Sequence, residues 1–287
     1  HITGSLTADD KVYDGKTAAT VIARSLSGAL SGDDVSLVGG TATFSDKNVG
    51  TDKTVTLSGA SLSGADVGNY VLDSLSTAIA DIIAADPICS ITGYNGVYDG
   101  NPHDASGSCT GIDDETLTGL DLGDTFTNVP GGIAYWTFID ETGNYANDSG
   151  NVEIVITEAT PTCSINGYTG VYDGDPHGAS GSCIGVKSET LTNLDLGATF
   201  TDVPGGTAYW TFIDGTGNYY DDSGSVEIVI SKADPTCIID GYTGVYDGAP
   251  HGASGSCTGI KNETLTGLDL GGFFTNVPGG TAYWTFT

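Results

Sequence analysis

The stretch Val203-Pro204-Gly205-Gly206-Thr207-Ala208-Tyr209-Trp210-Thr211-Phe212 decides the fold class of this chain. Val-Pro-Gly-Gly is typical of a turn. In the six residues after it, alternation places Ala208, Trp210 and Phe212 on one face. A short alternating run behind a turn predicts a half-buried β-strand. We assign the face with the tryptophan to the core, so that Tyr209 faces outward.

The same stretch occurs three times at a fixed period. Trp136, Trp210 and Trp284 are 74 residues apart (210 − 136 = 284 − 210 = 74), and corresponding cysteines keep the same step. An active site needs one unique constellation, whereas a copied module needs only to fold and to join its neighbours. The repeat therefore indicates an array built for reach or multivalency rather than an enzyme.

We divide the chain into four predicted domains. Residues 1–84 contain no cysteine and form a diverged first segment, followed by a first copy (85–158), a second copy (159–232) and a third copy (233–287). The third copy stops before its last predicted strand, so we expect the chain to be a slice of a longer protein. A proline follows the start of each copy and no Gly/Ser linker intervenes, which favours an elongated, semi-rigid rod.

Composition favours an all-β protein with an acidic surface. The chain has 44 glycines and no long pattern of helical period, and each unit reads as about seven short strands separated by turns. This predicts tandem immunoglobulin-like antiparallel β-sandwiches, with β-grasp-like units as the alternative. The formal charge of −29 would repel nucleic acid and anionic membranes. No run approaches the roughly 18 apolar residues of a membrane span.

The cysteines predict disulfides and an oxidising compartment. Each copy has two cysteines 20 positions apart and no CxxC pair, which makes a zinc-ribbon site unsuitable. One disulfide per copy is the simplest arrangement, with free buried thiols or linkage between neighbouring copies as alternatives. Closing such a loop stabilises a small domain by about 3 kcal/mol, and disulfides persist outside the cell. The cysteines concerned are Cys89, Cys109, Cys163, Cys183, Cys237 and Cys257.

A Tyr-Asp-Gly motif recurs in all four domains and predicts a structural turn. In each copy a histidine follows it (His103, His177 and His251), but one His and one Asp are too few ligands for a tight metal site, and turn capping explains both. The motif residues are Tyr13, Asp14, Gly15, Tyr98, Asp99, Gly100, Tyr172, Asp173, Gly174, Tyr246, Asp247 and Gly248.

A later acidic loop in the first two copies is a candidate calcium site. It carries several oxygen ligands within a short span, as Ca²⁺ prefers, although the spacing is not that of an EF-hand and a polar hairpin needs the same residue types. We expect no other cofactor. The candidate ligands are Asp140, Asn144, Asp148, Asp214, Asn218, Asp221 and Asp222.

These motifs carry a resemblance to known families. Val-Tyr-Asp-Gly followed by Pro-His, then Asn-Val-Pro-Gly-Gly-Thr, and Asn-Tyr before Val-Glu-Ile-Val-Ile, resemble the MBG domain of the YGX type. Tyr13-Asp14-Gly15, residues 44–50 and Gly68-Asn69-Tyr70 are similar to the related YDG domain. The resemblance implies tandem arrays in large bacterial surface proteins, often with filamentous-haemagglutinin-like adhesin segments, and no catalytic residues. The paired cysteines depart from the commoner cysteine-free pattern.

Two functions follow as expectations. The first is a stalk or fibre segment of an extracellular bacterial adhesin or filament, whose partners are neighbouring copies or subunits of the same protein. The second is a multivalent module that binds glycans or a host protein. A stalk should bury Tyr135, Tyr209 and Tyr283 at contacts between units, whereas a binding module should expose its aromatic residues. We expect no enzymatic activity, no nucleic-acid partner and no membrane insertion.

Overall fold

The computed structural model describes residues 1–287 as an all-β protein of 24 strands. The only helical element is one turn of 3₁₀ helix at Val67–Asn69. The chain divides into two compact units: unit 1 is His1–Val97 with Asn101–Thr157, and unit 2 is Tyr98–Gly100 with Glu158–Thr287. This partition does not test the boundaries of the four predicted domains, and these boundaries and the rod stay predictions.

Residues 1–84 form a β-sandwich within unit 1. A three-stranded sheet has the order β3-β1-β6, and a four-stranded sheet has the order β2-β7-β5-β4. Leu6 from the first sheet and Val55, Phe44 and Ile82 from the second belong to one buried cluster. The strands are β1 (Ile2–Ala8), β2 (Lys11–Val12), β3 (Val21–Ser27), β4 (Ser36–Phe44), β5 (Gly50–Ser63), β6 (Leu72–Leu75) and β7 (Ala78–Ile83).

The first copy adds a two-stranded sheet, β10-β8, and a four-stranded sheet, β11-β12-β13-β9. The long central strands β12 and β13 pair antiparallel, whereas β13 and the edge strand β9 pair parallel. The strands are β8 (Ile88–Thr92), β9 (Tyr94–Val97), β10 (Ser106–Thr110), β11 (Leu120–Asp121), β12 (Gly131–Phe138) and β13 (Asp148–Thr157).

The second copy, in unit 2, repeats this topology with every strand shifted by the sequence period. Its sheets have the orders β14-β16 and β15-β19-β18-β17. The parallel edge pair is also kept, now between β15 and β19. The strands are β14 (Thr162–Asn166), β15 (Tyr168–Val171), β16 (Ser180–Ile184), β17 (Leu194–Asp195), β18 (Gly205–Phe212) and β19 (Asp222–Ser231).

The third copy has a three-stranded sheet, β20-β21-β22, and a two-stranded sheet, β23-β24. Gly279–Trp284 lies outside any strand, although the equivalent residues in the second copy belong to β18 and pair with β19. Because residues 233–287 include no counterpart of β19, this stretch has no partner for a ladder of hydrogen bonds. The strands are β20 (Thr236–Asp240), β21 (Ser254–Thr258), β22 (Thr264–Leu265), β23 (Leu268–Asp269) and β24 (Thr285–Phe286).

The decisive strand orients its side chains as the alternation predicts. In β18, Ala208 and Phe212 are fully buried, Trp210 is half-buried, and Tyr209 is exposed. Phe212 and Trp210 pack in one cluster with Cys183. The alternation of buried and exposed side chains along β18 therefore follows from the pleat of the strand alone.

One disulfide joins the two cysteines of each copy. The three bonds are Cys89–Cys109, Cys163–Cys183 and Cys237–Cys257. Each bond links two residues that lie directly opposite in one antiparallel pair, and it does not connect the two sheets of a copy. The second cysteine of each pair is fully buried. The disulfide therefore pins the sheet that contains both cysteines and contributes to the core of its copy.

The tyrosine junctions as the candidate functional site

The acidic loop between the last two strands of a copy is organised by one aspartate. In the second copy the Asp214 carboxylate accepts hydrogen bonds from the backbone N–H groups of Thr216 (3.1 Å), Asn218 (2.7 Å) and Tyr219 (2.9 Å). Asp140 has the same role in the first copy, where its Oδ2 accepts a hydrogen bond from the N–H of Tyr145 at 2.8 Å. Aspartates often close turns in this way because their side chains replace a backbone acceptor.

These hydrogen bonds set the acidity of the two aspartates. Partial burial acts to raise the pKa of Asp214, but the hydrogen bonds from Tyr219, Thr216 and Asn218 outweigh it and lower the pKa below its ordinary value. The pKa of Asp140 is lowered by the same balance of burial and hydrogen bonds. Both loops therefore depend on an ionised carboxylate.

The loop presents a buried tyrosine to the body of its own copy. Tyr145 and Tyr219 are 6 % and 4 % exposed. The Tyr219 hydroxyl donates to the Glu189 carboxylate and accepts the N–H of Val186 at 3.0 Å. The Tyr145 hydroxyl donates to Glu115 and accepts from Ile112 in the same way.

The tyrosine and its glutamate shift each other's pKa in opposite directions. Burial, and then the hydrogen bond to the glutamate, raises the pKa of Tyr145 and of Tyr219 to about 12. The tyrosine hydroxyl lowers the pKa of Glu115 and Glu189. The pair is therefore held as a neutral phenol with an ionised carboxylate over the whole physiological range.

The first residue of each copy is bound to this loop. Ala85 is 3 % exposed, donates its N–H to the Asn144 carbonyl at 3.1 Å and accepts from Ala146 at 2.8 Å. Ala159 makes the equivalent bonds with Asn218 (2.9 Å) and Tyr220 (3.0 Å). The backbone at the start of a copy is thus fixed as a one-residue parallel bridge to the loop.

A second tyrosine, from the Tyr-Asp-Gly motif, completes the site. In unit 1 the rings of Tyr13 and Tyr145 meet edge to face, with centroids 5.5 Å apart at 78°. In unit 2, Tyr98 and Tyr219 meet at 5.4 Å and 81°. Edge-to-face contact is the favoured geometry of aromatic pairs. We call each set of two tyrosines with its aspartate, glutamate and alanine a tyrosine junction.

The Tyr-Asp-Gly turn is built from side-chain caps and a glycine. Gly15, Gly100, Gly174 and Gly248 all have φ between +69° and +79°, a conformation that favours glycine. In the second copy Asp173 Oδ1 accepts from the N–H of Asp175 at 2.9 Å, and Nε2 of His177 lies 2.9 Å away.

The histidine of each copy stacks on a tyrosine. The ring centroids are 3.7 Å apart for Tyr94–His103, 3.9 Å for Tyr168–His177 and 3.8 Å for Tyr242–His251. In the third copy Asp247 Oδ1 lies 2.9 Å from both the N–H of Ala249 and Nε2 of His251. Each turn is therefore braced by side chains of its own copy, as a structural role requires.

The carboxylates of the acidic loops accept hydrogen bonds within the loops. The carboxylates of Asp140 and Asp214 are directed at backbone N–H groups, and Asp221 Oδ1 accepts the N–H of Asp214 at 2.8 Å. Asp148 and Asp222 bond the N–H of the next residue. No three His, Cys, Asp or Glu side chains of residues 1–287 converge as they would around a metal ion. Calcium binding stays a prediction without geometric support.

The prediction that a stalk buries one outward tyrosine of each copy at contacts between units is wrong. Tyr135, Tyr209 and Tyr283 are 64 %, 71 % and 83 % exposed rather than buried at contacts between units. The tyrosines buried at junctions are Tyr13, Tyr145 and Tyr219. Sequence reasoning noted both motifs but missed their contact, because a repeat gives no sign of which two motifs meet. The same holds for Glu115 and Glu189, which no sequence motif distinguished.

Comparison with known proteins gives one family match. A model of the YDG domain matches residues 2–78. No curated protein matches the chain. The matched segment contains Tyr13, which contributes one ring to the first tyrosine junction.

Solved structures similar to this chain include tandem immunoglobulin and cadherin domains. Drosophila OTK, extracellular domains 3–5, is 12% identical, with 78% of this chain and 94% of that chain covered and a TM-score of 0.24. Sidekick-1 immunoglobulin domains 1–5 is 11% identical, with 90% and 67% covered and a TM-score of 0.26. Protocadherin Gamma B7 extracellular cadherin domains 1–4 is 10% identical, with 82% and 78% covered and a TM-score of 0.27. The chain contains no helix with the length and apolar character needed to span a bilayer.

Proposed function

We propose that this chain is a structural segment of an extracellular bacterial surface adhesin or filament, in which successive copies space or assemble the array. The observation that carries the proposal is the repetition of the tyrosine junction. The same set of two tyrosines, an aspartate, a glutamate and an alanine recurs at the start of two successive copies, with ring-centroid distances of 5.5 and 5.4 Å. A repeated docking geometry supports a role in joining domains in series.

The disulfides and the composition support an extracellular structural role. A disulfide in every copy implies an oxidising compartment. The net charge of −29 keeps an extended array soluble and disfavours nucleic acid as a partner. The resemblance of the copies to MBG domains of bacterial surface arrays points the same way. We assign no catalytic residues, and we propose copies or subunits of the same protein as the main partners.

Single-molecule pulling tests the stalk. A stalk of equivalent copies should unfold in repeated steps, and the first and second copies should give steps of equal length. Each disulfide excludes the residues between its cysteines, which are 20 positions apart, from extension. Reduction should therefore lengthen each such step by about 70 Å at about 3.5 Å per residue. A single unfolding event for the whole chain, unchanged by reduction, would contradict the proposal.

A second candidate function is multivalent binding, and exposed aromatic side chains favour it. Tyr135, Tyr209 and Tyr283 recur at the sequence period and are all exposed. Beside Tyr209, Thr207 donates to Glu227 at 2.8 Å, which adds polar groups to the same sheet. A tyrosine flanked by hydroxyls and a carboxylate suits a sugar ring, and copy number would supply avidity. A glycan array tests this function with the wild-type chain and with a variant in which all three tyrosines are replaced by alanine. A signal that is lost in the variant supports binding. The absence of a signal from both proteins excludes binding to the glycans tested.

A further inference from the structure

One position in each copy is held by the same local turn but differs in charge. It lies four residues after the second cysteine and is Asp113, Lys187 or Lys261. The backbone N–H of each donates to the glutamate two residues later, at 2.9 Å in all three copies. The backbone therefore presents this side chain in the same way each time, and only its chemistry changes.

The side chain at this position lies against a Tyr-Asp-Gly turn. Lys187 Nζ donates to the carbonyl of Gly100, and Lys261 Nζ to that of Gly174. In unit 1 a Cβ placed on Gly15 would be 3.7 Å from Oδ2 of Asp113, so the carboxylate occupies the equivalent place. The turn glycine leaves room for this approach because it has no side chain.

The residue that follows each turn glycine matches the approaching charge. Lys16 follows Gly15, which Asp113 approaches; Asp175 follows Gly174, which Lys261 approaches. Lys261 Nζ lies 3.1 Å from Asp175 Oδ1. Asn101 follows Gly100 and is neutral. In the order in which the copies occur, the residue after each turn glycine is therefore opposite in charge to the approaching side chain or neutral.

We propose that this pair of positions selects which copy docks on which turn. The inference rests on the proposed function, in which copies dock in series. Placing the third copy after residues 1–84 would bring Lys261 to Lys16, and placing the first copy after the second would bring Asp113 to Asp175. Like charges at a contact disfavour the wrong partner, which matters because near-identical neighbours are prone to misassembly.

A double-mutant cycle in the full chain tests the selection. Asp113→Lys alone should speed hydrogen exchange of the Ala85 and Ala146 amides, which belong to this junction, about three-fold, as expected for exposed ion pairs. Lys16→Asp alone should act in the same direction. The double variant, Lys16→Asp with Asp113→Lys, should return exchange to the wild-type rate, and 0.5 M NaCl should reduce all these differences.

The matched control is Asp104→Lys, which makes the same change of charge at an exposed aspartate of the first copy and should leave both amides unaffected. Additive effects of the two single changes, with no recovery in the double variant, would overturn the inference. That outcome differs from failure of the stalk, because equal unfolding steps in the pulling experiment do not depend on which charges meet at a junction.

Discussion

The ring of Tyr98 lies edge-on against the ring of Tyr219, with centroids 5.4 Å apart and planes at 81°. Tyr98 belongs to a Tyr-Asp-Gly turn and Tyr219 to an acidic loop, so the contact joins two recurrent motifs of the chain. Its counterpart between Tyr13 and Tyr145 has nearly the same geometry. The contact explains why both motifs contain a tyrosine, and it yields the following predictions.

Removal of the Tyr219 hydroxyl should weaken unit 2. Tyr219→Phe keeps the ring but leaves the Val186 N–H and the Glu189 carboxylate without their partner. We expect a loss of about 1 kcal/mol in the free energy of unfolding. Urea denaturation followed by fluorescence measures it. Tyr209→Phe, at an exposed hydroxyl, is the control, and an equal loss in both variants would contradict the assigned role.

Removal of the upstream ring should loosen the junction without unfolding the copies. Tyr98→Ala deletes the edge-to-face contact, worth about 1 kcal/mol beyond the area it buries. Hydrogen exchange of the Ala159 amide, which bonds to the Asn218 carbonyl, should become several-fold faster. Amides of the central strands β18 and β19 should keep their protection. Unchanged exchange at Ala159 would show that the ring does not hold the junction.

Loss of one disulfide should destabilise its own copy. Replacing Cys163 and Cys183 together by alanine should lower the free energy of unfolding by about 3 kcal/mol, since the closed loop spans 20 positions. Hydrogen exchange of unit 1 strands, such as β5, should not change. A variant as heat-resistant as the wild type would refute the view that the disulfide staples a marginal core.

Acid should weaken both tyrosine junctions below about pH 4. The pKa values of Asp140, Asp214, Glu115 and Glu189 are lowered in the folded chain, so their stabilisation is present above the unfolded values of about 3.9 and 4.3. It is lost as the pH falls through the folded pKa of each group. Urea midpoints measured between pH 7 and pH 2 should fall over this window. Asp214→Asn should flatten the dependence in unit 2.

Alkali should reveal the two buried phenols. The pKa of Tyr145 and Tyr219 is raised to about 12, so the neutral phenol stabilises the fold fully below the unfolded pKa of about 10. This stabilisation is lost as the pH rises from about 10 to about 12. An ultraviolet titration of the 14 tyrosines should show a phase at about pH 12 from Tyr145 and Tyr219. The variant Tyr145→Phe with Tyr219→Phe should lack this late phase.

Calcium should not change stability, because the loop carboxylates already accept backbone hydrogen bonds. We expect the same melting temperature in 1 mM CaCl₂ and in excess chelator. Asp214→Asn should lower the melting temperature equally in both conditions. A melting temperature that falls only on chelation would instead restore calcium as a ligand of these loops.

Much of the local structure is predictable from the residues, because it depends on short-range patterns. Alternation placed Ala208, Trp210 and Phe212 inward and Tyr209 outward, and the structure agrees. The equal spacing of cysteines indicated pairing within a copy, which matches the three bonds observed. The parallel pairing of β9 with β13 was not predictable, since no turn connects the two strands and so no local signal sets their register.

The sequence by itself determined the repeat period and the inward face of the decisive strand, and it favoured a disulfide within each copy, because these follow from exact copying or from chain geometry over a few residues. Only the tertiary structure decided which tyrosines are buried. Tyr135 and Tyr145 are the same residue type in the same copy, yet they are 64 % and 6 % exposed. Tyr145 is buried because its loop places it against Glu115 and Ile112 and because Tyr13, distant in sequence, packs on its ring. Tyr135 lies on the outward face of β12.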